Sequence, residues 1–401
     1  MNVTVVGLGK IGLPLSVQFA RRGHRVLGAD ISAAVVETVN AGEEPFPGEA
    51  HLGEYLGEVR AGGRFEATTD TRSAVAESEV VIVVVPLVVD SDSRPDFAAM
   101  DSATADIAAG LGAGTLVSYE TTLPVGTTRG RFTPALAEAS GLEPGVDLFV
   151  CHSPERVFSG RIFADLAAYP KLVGGIDEAS AARAVEFYQS ALEFDERPDL
   201  ERPNGVWDLG SAEAAELAKL AETTYRDVNI AFANELARYS DRVGIDVGAV
   251  IEASNSQPFS HIHRPGIAVG GHCIPVYPRF YLAGDPEAKL PAAAREVNLA
   301  MPGYAVRRLE EAIGPLGGKK VAVLGAAYRG GVKETAFSGV FGVVDELTRR
   351  GAVAVVHDHL YTGDELAALG FTAHALGDPC DAAIVQTDHV EYRTIGSEAL
   401  P

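Results

Sequence analysis

Cations are scarce in this sequence: 33 Lys and Arg stand against 55 Asp and Glu, a formal charge of −22. Nucleic acid and anionic membrane surfaces are recognised through basic surface, so both are excluded as partners. A phosphorylated ligand would need a local exception built from backbone amides and a few cations. Cysteine is equally sparse. Cys151, Cys273 and Cys380 are far apart and odd in number, which excludes a disulfide framework and leaves a thiol available for chemistry. No long hydrophobic run exists either, the best being Val80 to Val89, about half of a bilayer span. The chain opens Met1-Asn2 and enters a strand-like Val-Thr-Val-Val run without the basic flank of a signal peptide, so a cytoplasmic protein is expected.

What is present is ordinary globular material, 47% hydrophobic and 22% charged over 401 residues, enough for two or three domains. Short apolar runs at Val3–Val6, Arg25–Ala29, Val80–Val85, Leu116–Tyr119, Leu148–Cys151 and Leu172–Val173 alternate with amphipathic stretches. Strands separated by helices imply a parallel, doubly wound sheet. After the loop-like Asp199-Leu-Glu-Arg-Pro-Asn-Gly205, the stretch from Ser211 to Val243 lacks Pro and Gly and reads as one long helix. Asn255 to Pro278 is dense in Gly, Pro and His and reads as a structured loop. A further helix is expected from Pro291 to Ile313, stopped by Gly317-Gly318. A second α/β unit then starts at Lys319, with strand candidates at Val353–Val356 and Ala382–Gln386.

Gly7-Leu-Gly9-Lys10-Ile11-Gly12 follows the first strand and opens a helix containing Pro14, and Asp30 closes the second strand. In that setting Gly7 makes a tight turn, Gly9 lets the backbone approach a pyrophosphate, and Gly12 packs helix on strand. Asp30 would accept a ribose 2′-hydroxyl and repel a 2′-phosphate, and no Lys or Arg directly follows it, so NAD is expected rather than NADP. Lys10, Ile11, Pro86 and Thr122 complete the expected cofactor contacts.

Three further segments carry the chemistry: Thr121-Thr-Leu-Pro-Val-Gly-Thr-Thr128, Ser153-Pro-Glu-Arg-Val157 and Gly270-Gly-His-Cys-Ile-Pro275. With Ala215-Glu-Leu-Ala-Lys219 and the N-terminal fingerprint, in this order, they resemble the UDP-glucose/GDP-mannose 6-dehydrogenase family over nearly the whole chain. The Ser-Pro-Glu-Arg-Val form followed by Gly160 looks more like the branch acting on UDP-N-acetylmannosamine or UDP-N-acetylglucosamine than the UDP-glucose branch.

The resemblance implies NAD-dependent oxidation of a sugar C6 hydroxyl to a carboxylate. That removes four electrons while one nicotinamide accepts two, so an aldehyde must be retained, and a thiolate retains it covalently. Cys273, after two glycines that let backbone approach the sugar, is the implied nucleophile. Lys219 would sit near C6 to hold an alkoxide, and Glu155, ionised beside Lys219, would handle water and protons together with Thr122. Substrate contacts are implied at Glu155, Arg156, Val157, Lys219, Gly270 and Gly271. Asn229 and Asn234, on the long helix, read as a structural polar seam.

Several positions depart from the family. Thr223 replaces an Asn four residues after Lys219, sharing its helix face with shorter reach, and Tyr277 replaces an Asp four residues after Cys273. Thr223 therefore joins the catalytic candidates, while acid release is the less supported half of the chemistry. Phe259 falls where the family has a subunit-crossing Arg, leaving Arg264, or His261 and His263, to take over. Tyr328-Arg-Gly-Gly-Val-Lys-Glu334 also differs, but Tyr328, Arg329 and Lys333 remain diphosphate candidates. The chain ends at Pro401, soon after Gln386-Thr-Asp-His389, where relatives continue, so a smaller last sheet or an incomplete sequence is expected.

Rival readings stay open. UDP-glucose could be the substrate. His261, His263, His272 and Cys273 could bind zinc, although the family chemistry needs no metal. A two-electron hydroxyacid-type or 6-phosphogluconate-type dehydrogenase, or a nucleotide-sugar sensor without turnover, would share the fold logic. The expected architecture is α/β: two Rossmann-like doubly wound domains joined by a long central helix and helical connector. Its divisions are an NAD-binding domain (residues 1–200), a helical connector with the cysteine loop (201–315) and a C-terminal nucleotide-sugar-binding domain (316–401), with the active site between the two α/β domains and a homodimer through the long helix.

Overall fold

The computed structural model describes residues 1–396, and the expectation about the chain's end at Pro401 falls outside them. The chain divides into two compact units, Met1–Ala221 and Glu222–Pro401. Among the described residues no helix is long and apolar enough to cross a membrane.

The first unit is built on eight strands: β1 (Asn2–Val6), β2 (Arg25–Ala29), β3 (Phe65–Thr68), β4 (Val80–Val83), β7 (Thr115–Tyr119), β8 (Leu148–His152), β9 (Lys171–Gly175) and β10 (Val206–Asp208), with a two-stranded hairpin β5 (Val88–Val89) and β6 (Pro95–Asp96) beside them. Their order is β10-β9-β8-β7-β4-β1-β2-β3. Strands buried on both faces need continuous apolar runs, and the Val-rich β4 is fully buried along its length. The order reverses at β1, whose neighbours are β2 and β4, which makes the C-terminal end of β1 the crevice where such sheets take ligands.

One pair breaks the expected parallel pattern, because β8 and β9 are antiparallel. After β8 the chain stays at the C-terminal end of the sheet: Ser153 N–H donates to the Tyr119 carbonyl and Glu155 N–H to that of Glu120. β9 therefore starts at that end and runs back.

In the second unit β11 (Lys320–Leu324) lies between β12 (Val353–His357) and β13 (Ala382–Val385), all parallel. Val321, Val323, Val340, Val343, Leu347 and Val356 form its core. The long helix runs Ala212–Val243, 32 residues and about 48 Å. The helix expected over Pro291–Ile313 is two, Lys289–Leu299 and Met301–Ile313. Pro302 has no N–H to offer the Asn298 carbonyl, and the first helix ends there. Helices at Val247–Asn255 and Tyr277–Gly284, and the strands β3 and β10, are additional to the sequence reading.

Candidate active site

At the end of β1 the backbone turns at Gly7 (φ +96°). A side-chain carbon at Gly12 would lie 1.8 Å from the Gly7 carbonyl oxygen, whereas one at Gly9 would meet nothing within 4 Å. Gly12 is thus dictated by packing and Gly9 by open space. The helix Gly12–Arg21 begins beside that space without a side-chain cap, so the positive end of its dipole is turned to the open space at Gly9. Asp30 is fixed by two amides, Leu8 N–H to one oxygen and Ser32 N–H to the other, both 2.8 Å. Its remaining lone pairs suit a ribose hydroxyl, so these residues fit NAD. Lys10 and Pro86 are exposed, Ile11 is half-buried and Thr122 is buried. Thr121 Oγ1 donates to the Val85 carbonyl at 2.6 Å, tying together the loops after β4 and β7.

Glu155 follows β8. Lys171, a cation that the sequence did not single out, contacts it: its Nζ donates to Glu155 at 2.9 Å and to Glu120 at 2.7 Å. Burial works against the Glu155 charge, yet the Lys171 ammonium and the Arg156 N–H (2.6 Å) hold its carboxyl below the usual range, with Lys219 reinforcing them. Burial raises Glu120 to about 7 even though Lys171 opposes it. Tyr188 donates to the other Glu120 oxygen at 2.6 Å. Lys219 itself is 7% exposed. Lys171, Glu120 and Tyr188 escaped the sequence reading, since a lysine opening a short apolar run carries no signal of its own.

Glu216 anchors the Thr121–Thr128 segment to the long helix. It accepts from Gly126 N–H (2.5 Å), Thr128 N–H (2.8 Å) and Thr128 Oγ1 (2.7 Å), and burial raises its carboxyl to about 7 against those bonds. Arg156 donates to the Pro170 carbonyl at 3.4 Å, and Val157 packs on the core.

In the second unit Cys273 is exposed, and its carbonyl accepts from Tyr277 N–H at 2.9 Å, so Tyr277 opens the next helix where the family has Asp. Side chains at Gly270 and Gly271 are excluded by the protein itself. A Cβ at Gly270 would lie 2.5 Å from that of Tyr328, and Gly271 (φ +86°) packs on the Tyr328 ring. The preceding loop is clamped by the polar seam of the long helix: Asn229 takes His263 N–H (2.9 Å) and donates to the His261 carbonyl (2.7 Å), and Asn234 takes Gly266 N–H (2.9 Å). Thr223 is buried, and Arg264 is exposed. Arg329 donates to Tyr328 Oη at 3.1 Å, and Lys333 to Glu365 at 2.5 Å.

The zinc alternative finds no geometry, because His261, His263, His272 and Cys273 do not bring their ligand atoms together. Among the described residues Asp358, His359 and His389 do, within 4.8 Å. Two of its members are already engaged with each other and with backbone: one Asp358 oxygen takes Ala326 N–H, Ala327 N–H and His389 Nε2, and His389 Nδ1 takes Gly331 N–H. It is a structural clasp.

Sequence models of three domains match the chain in order: the NAD-binding domain over residues 1–192, the central domain over 213–300 and the UDP-binding domain over 322–400 of the UDP-glucose/GDP-mannose dehydrogenase family. The chain belongs to this family. It is an NAD-dependent nucleotide-sugar dehydrogenase, and Gly7–Gly12 and Asp30 lie in its NAD-binding domain. It is 34% identical to the UDP-N-acetyl-D-mannosamine dehydrogenase of Pyrococcus horikoshii, across 100% of this chain and 92% of the relative. The solved structure of a UDP-D-ManNAc dehydrogenase from that organism superimposes with a TM-score of 0.87 at 33% identity, covering 99% of this chain and 92% of the other. A UDP-glucose dehydrogenase from Pyrobaculum islandicum matches equally well in shape, TM-score 0.87, at 28% identity over 98% and 91%.

Proposed function

We propose that this dehydrogenase oxidises the C6 hydroxyl of a UDP-N-acetylhexosamine to the uronate, with Cys273 as covalent nucleophile. The observation that carries this reading is the contrast among its cysteines. Cys273 is exposed in the Gly-Gly-His-Cys loop, whereas burial pushes the Cys151 thiol up to about 12, and Cys380 is half-buried outside the motifs. UDP-N-acetyl-D-mannosamine dehydrogenases are full-length relatives, which supports an N-acetylated sugar over UDP-glucose.

NAD, when bound, supplies the hydride acceptor. Lys219 holds the developing alkoxide at C6, and the Cys273 thiolate forms a C–S bond to the aldehyde carbon and so retains it. Loss of a second hydride, to a second NAD, turns this thiohemiacetal into a thioester. Water then forms the C–O bond, the C–S bond breaks with its electron pair returning to sulfur, and Glu155 takes the proton of the water. Thr122 and Thr223 offer hydroxyls to position that water, and Arg156, Val157, Gly270, Gly271, Arg264, Tyr328, Arg329 and Lys333 contact the substrate. A homodimer is supported by an exposed stripe on the long helix, Tyr225, Phe232 and Tyr239 at seven-residue spacing, 60%, 51% and 57% exposed.

A panel of UDP-, GDP- and TDP-sugars scored for NADH tests this reading. Two NADH per sugar are expected with a UDP-N-acetylhexosamine, and acid formation is lost in Cys273→Ser. One NADH with a stable aldehyde, or unchanged acid formation in that variant, would overturn it.

A further inference from the structure

In the first unit the buried Lys171 ammonium donates to two buried carboxylates. Lys171, 4% exposed, opens β9, and its Nζ lies between Glu120, which is wholly buried, and Glu155. Elsewhere the two differ. The second oxygen of Glu120 meets only a neutral donor, Tyr188 Oη, which is itself held at 2.8 Å by Ser118 Oγ. The second oxygen of Glu155 takes a backbone N–H, that of Arg156. A buried carboxylate short of countercharge gives up its ionisation, and Lys171 serves both groups while Lys219 acts on Glu155 as well, so Glu120 is the less well compensated of the two. The proton of the pair therefore settles on Glu120, the more enclosed group, and Glu155 keeps the charge.

We propose that Lys171 is a positioning residue for thioester hydrolysis, holding Glu155 as an oriented anion while Glu120 and Tyr188 fix the ammonium from behind. This rests on the reading of Glu155 as proton acceptor. An anion is required there, because only an ionised carboxylate can take the proton as water forms the C–O bond and the C–S bond to Cys273 breaks. The antiparallel return of β9 is what delivers Lys171 to this end of the sheet. The remaining titratable groups around the cluster are Cys151 and His152 on β8, Tyr188 on the helix Glu178–Ala191 and Lys219 on the long helix. Burial keeps the Cys151 thiol protonated and pushes His152 down to about 3, so neither carries charge near neutrality. The directions at Glu120 and Glu155 agree with this division of one proton.

The test uses the full chain with NAD and whichever of UDP-N-acetylmannosamine, UDP-N-acetylglucosamine and UDP-glucose it turns over fastest, reading acid formation against pH. Lys171→Met is expected to move the acid limb of kcat up by about one pH unit or more and to lower kcat at pH 7 about tenfold, with KM changed less than about threefold. Lys171→Arg should restore the limb. An acid limb in Lys171→Met that coincides with the parent's would overturn the proposal. If Lys171→Met does not fold, Glu120→Gln decides: Gln reproduces the neutral carboxyl assigned to Glu120, so the acid limb should stay with the parent's, and a limb moved to lower pH would show that Glu120 competes as an anion for Lys171 and contradict the proposal. Glu155→Gln separates the two levels. Parental hydrolysis in that variant defeats the reading of Glu155 itself, whereas slow hydrolysis there with an unmoved limb in Lys171→Met defeats only the role of Lys171.

Discussion

The two units open with the same device and use it differently. β1 ends at Gly7 (φ +96°) and β11 at Gly325 (φ +107°). Each second strand is followed by an Asp that takes loop amides: Asp30 from Leu8 and Ser32, Asp358 from Ala326, Ala327 and Leu360. Beyond that the resemblance stops. Asp30 is left half-buried beside the open space at Gly9, while Asp358 is 2% exposed and receives His389 Nε2 at 3.0 Å. A Cβ at Gly325 would lie 2.2 Å from Thr387. The chain's own Thr387 and His389 fill the second crevice where a dinucleotide would enter the first. One half-fold thus yields a cofactor site or a closed clasp according to what the third strand brings to it.

Replacing each Asp is the most forceful way to break this comparison. Asp30→Ala should raise KM for NAD on the order of 100-fold, the loss of charge-assisted bonds worth about 1.5–3 kcal/mol each. Asp358→Ala should leave that KM nearly unchanged and instead cost on the order of 3 kcal/mol of stability, because buried amides and His389 lose their acceptor. Steady-state kinetics with urea unfolding reads both, and a large rise in KM for NAD in Asp358→Ala would show the second crevice to be a cofactor site after all. The glycines sharpen the point with a smaller effect. Gly9→Val should raise KM for NAD about tenfold with Tm preserved, since the fold has room for the side chain, whereas Gly12→Ala should lower Tm. Equal Tm losses would refute the assignment of Gly9 to ligand space.

The smallest effect contrasts a fully buried carboxylate with a half-buried one held by two guanidiniums. Glu216 is raised to about 7 by burial in the first unit, and Glu346 is lowered to about 2, chiefly by its hydrogen bonds with Arg349 and Arg350, in the second. Between about pH 4.5 and 7 folded Glu216 holds a proton that the unfolded chain has lost, so its contribution falls as pH rises. Glu346 is ionised in both states across that range, and its contribution is lost only as pH falls from about 4.5 toward 2. Melting curves should therefore show the Tm difference, Glu216→Gln minus parent, growing from pH 4.5 to 7. A flat difference would contradict the sign.

What was legible in the sequence was local. Gly7, Gly9, Gly12 and Asp30 are read correctly as a strand, turn and helix because sterics within 25 residues dictate them, and the long helix follows from its lack of Pro and Gly. Pro302 was in plain view, but apolar periodicity on both sides concealed the break. Distant pairings were not legible. Lys171 meets Glu120 only because β9 runs antiparallel, and Gly270 and Gly271 answer to Tyr328, which no spacing rule connects to them. The hydrogen bonds of Asp358 and His389 likewise depend on a strand order that the sequence does not spell out.

The central claim is the covalent bond at Cys273. Acid quenching of Glu155→Gln during turnover with NAD and the best UDP-sugar, followed by peptide mass analysis, tests it directly. The account predicts that the peptide carrying Cys273 gains the mass of the sugar nucleotide acyl group, that hydroxylamine removes it, and that Cys151 and Cys380 stay unmodified. An unmodified Cys273 peptide, in a variant that has released NADH but no acid, would contradict it.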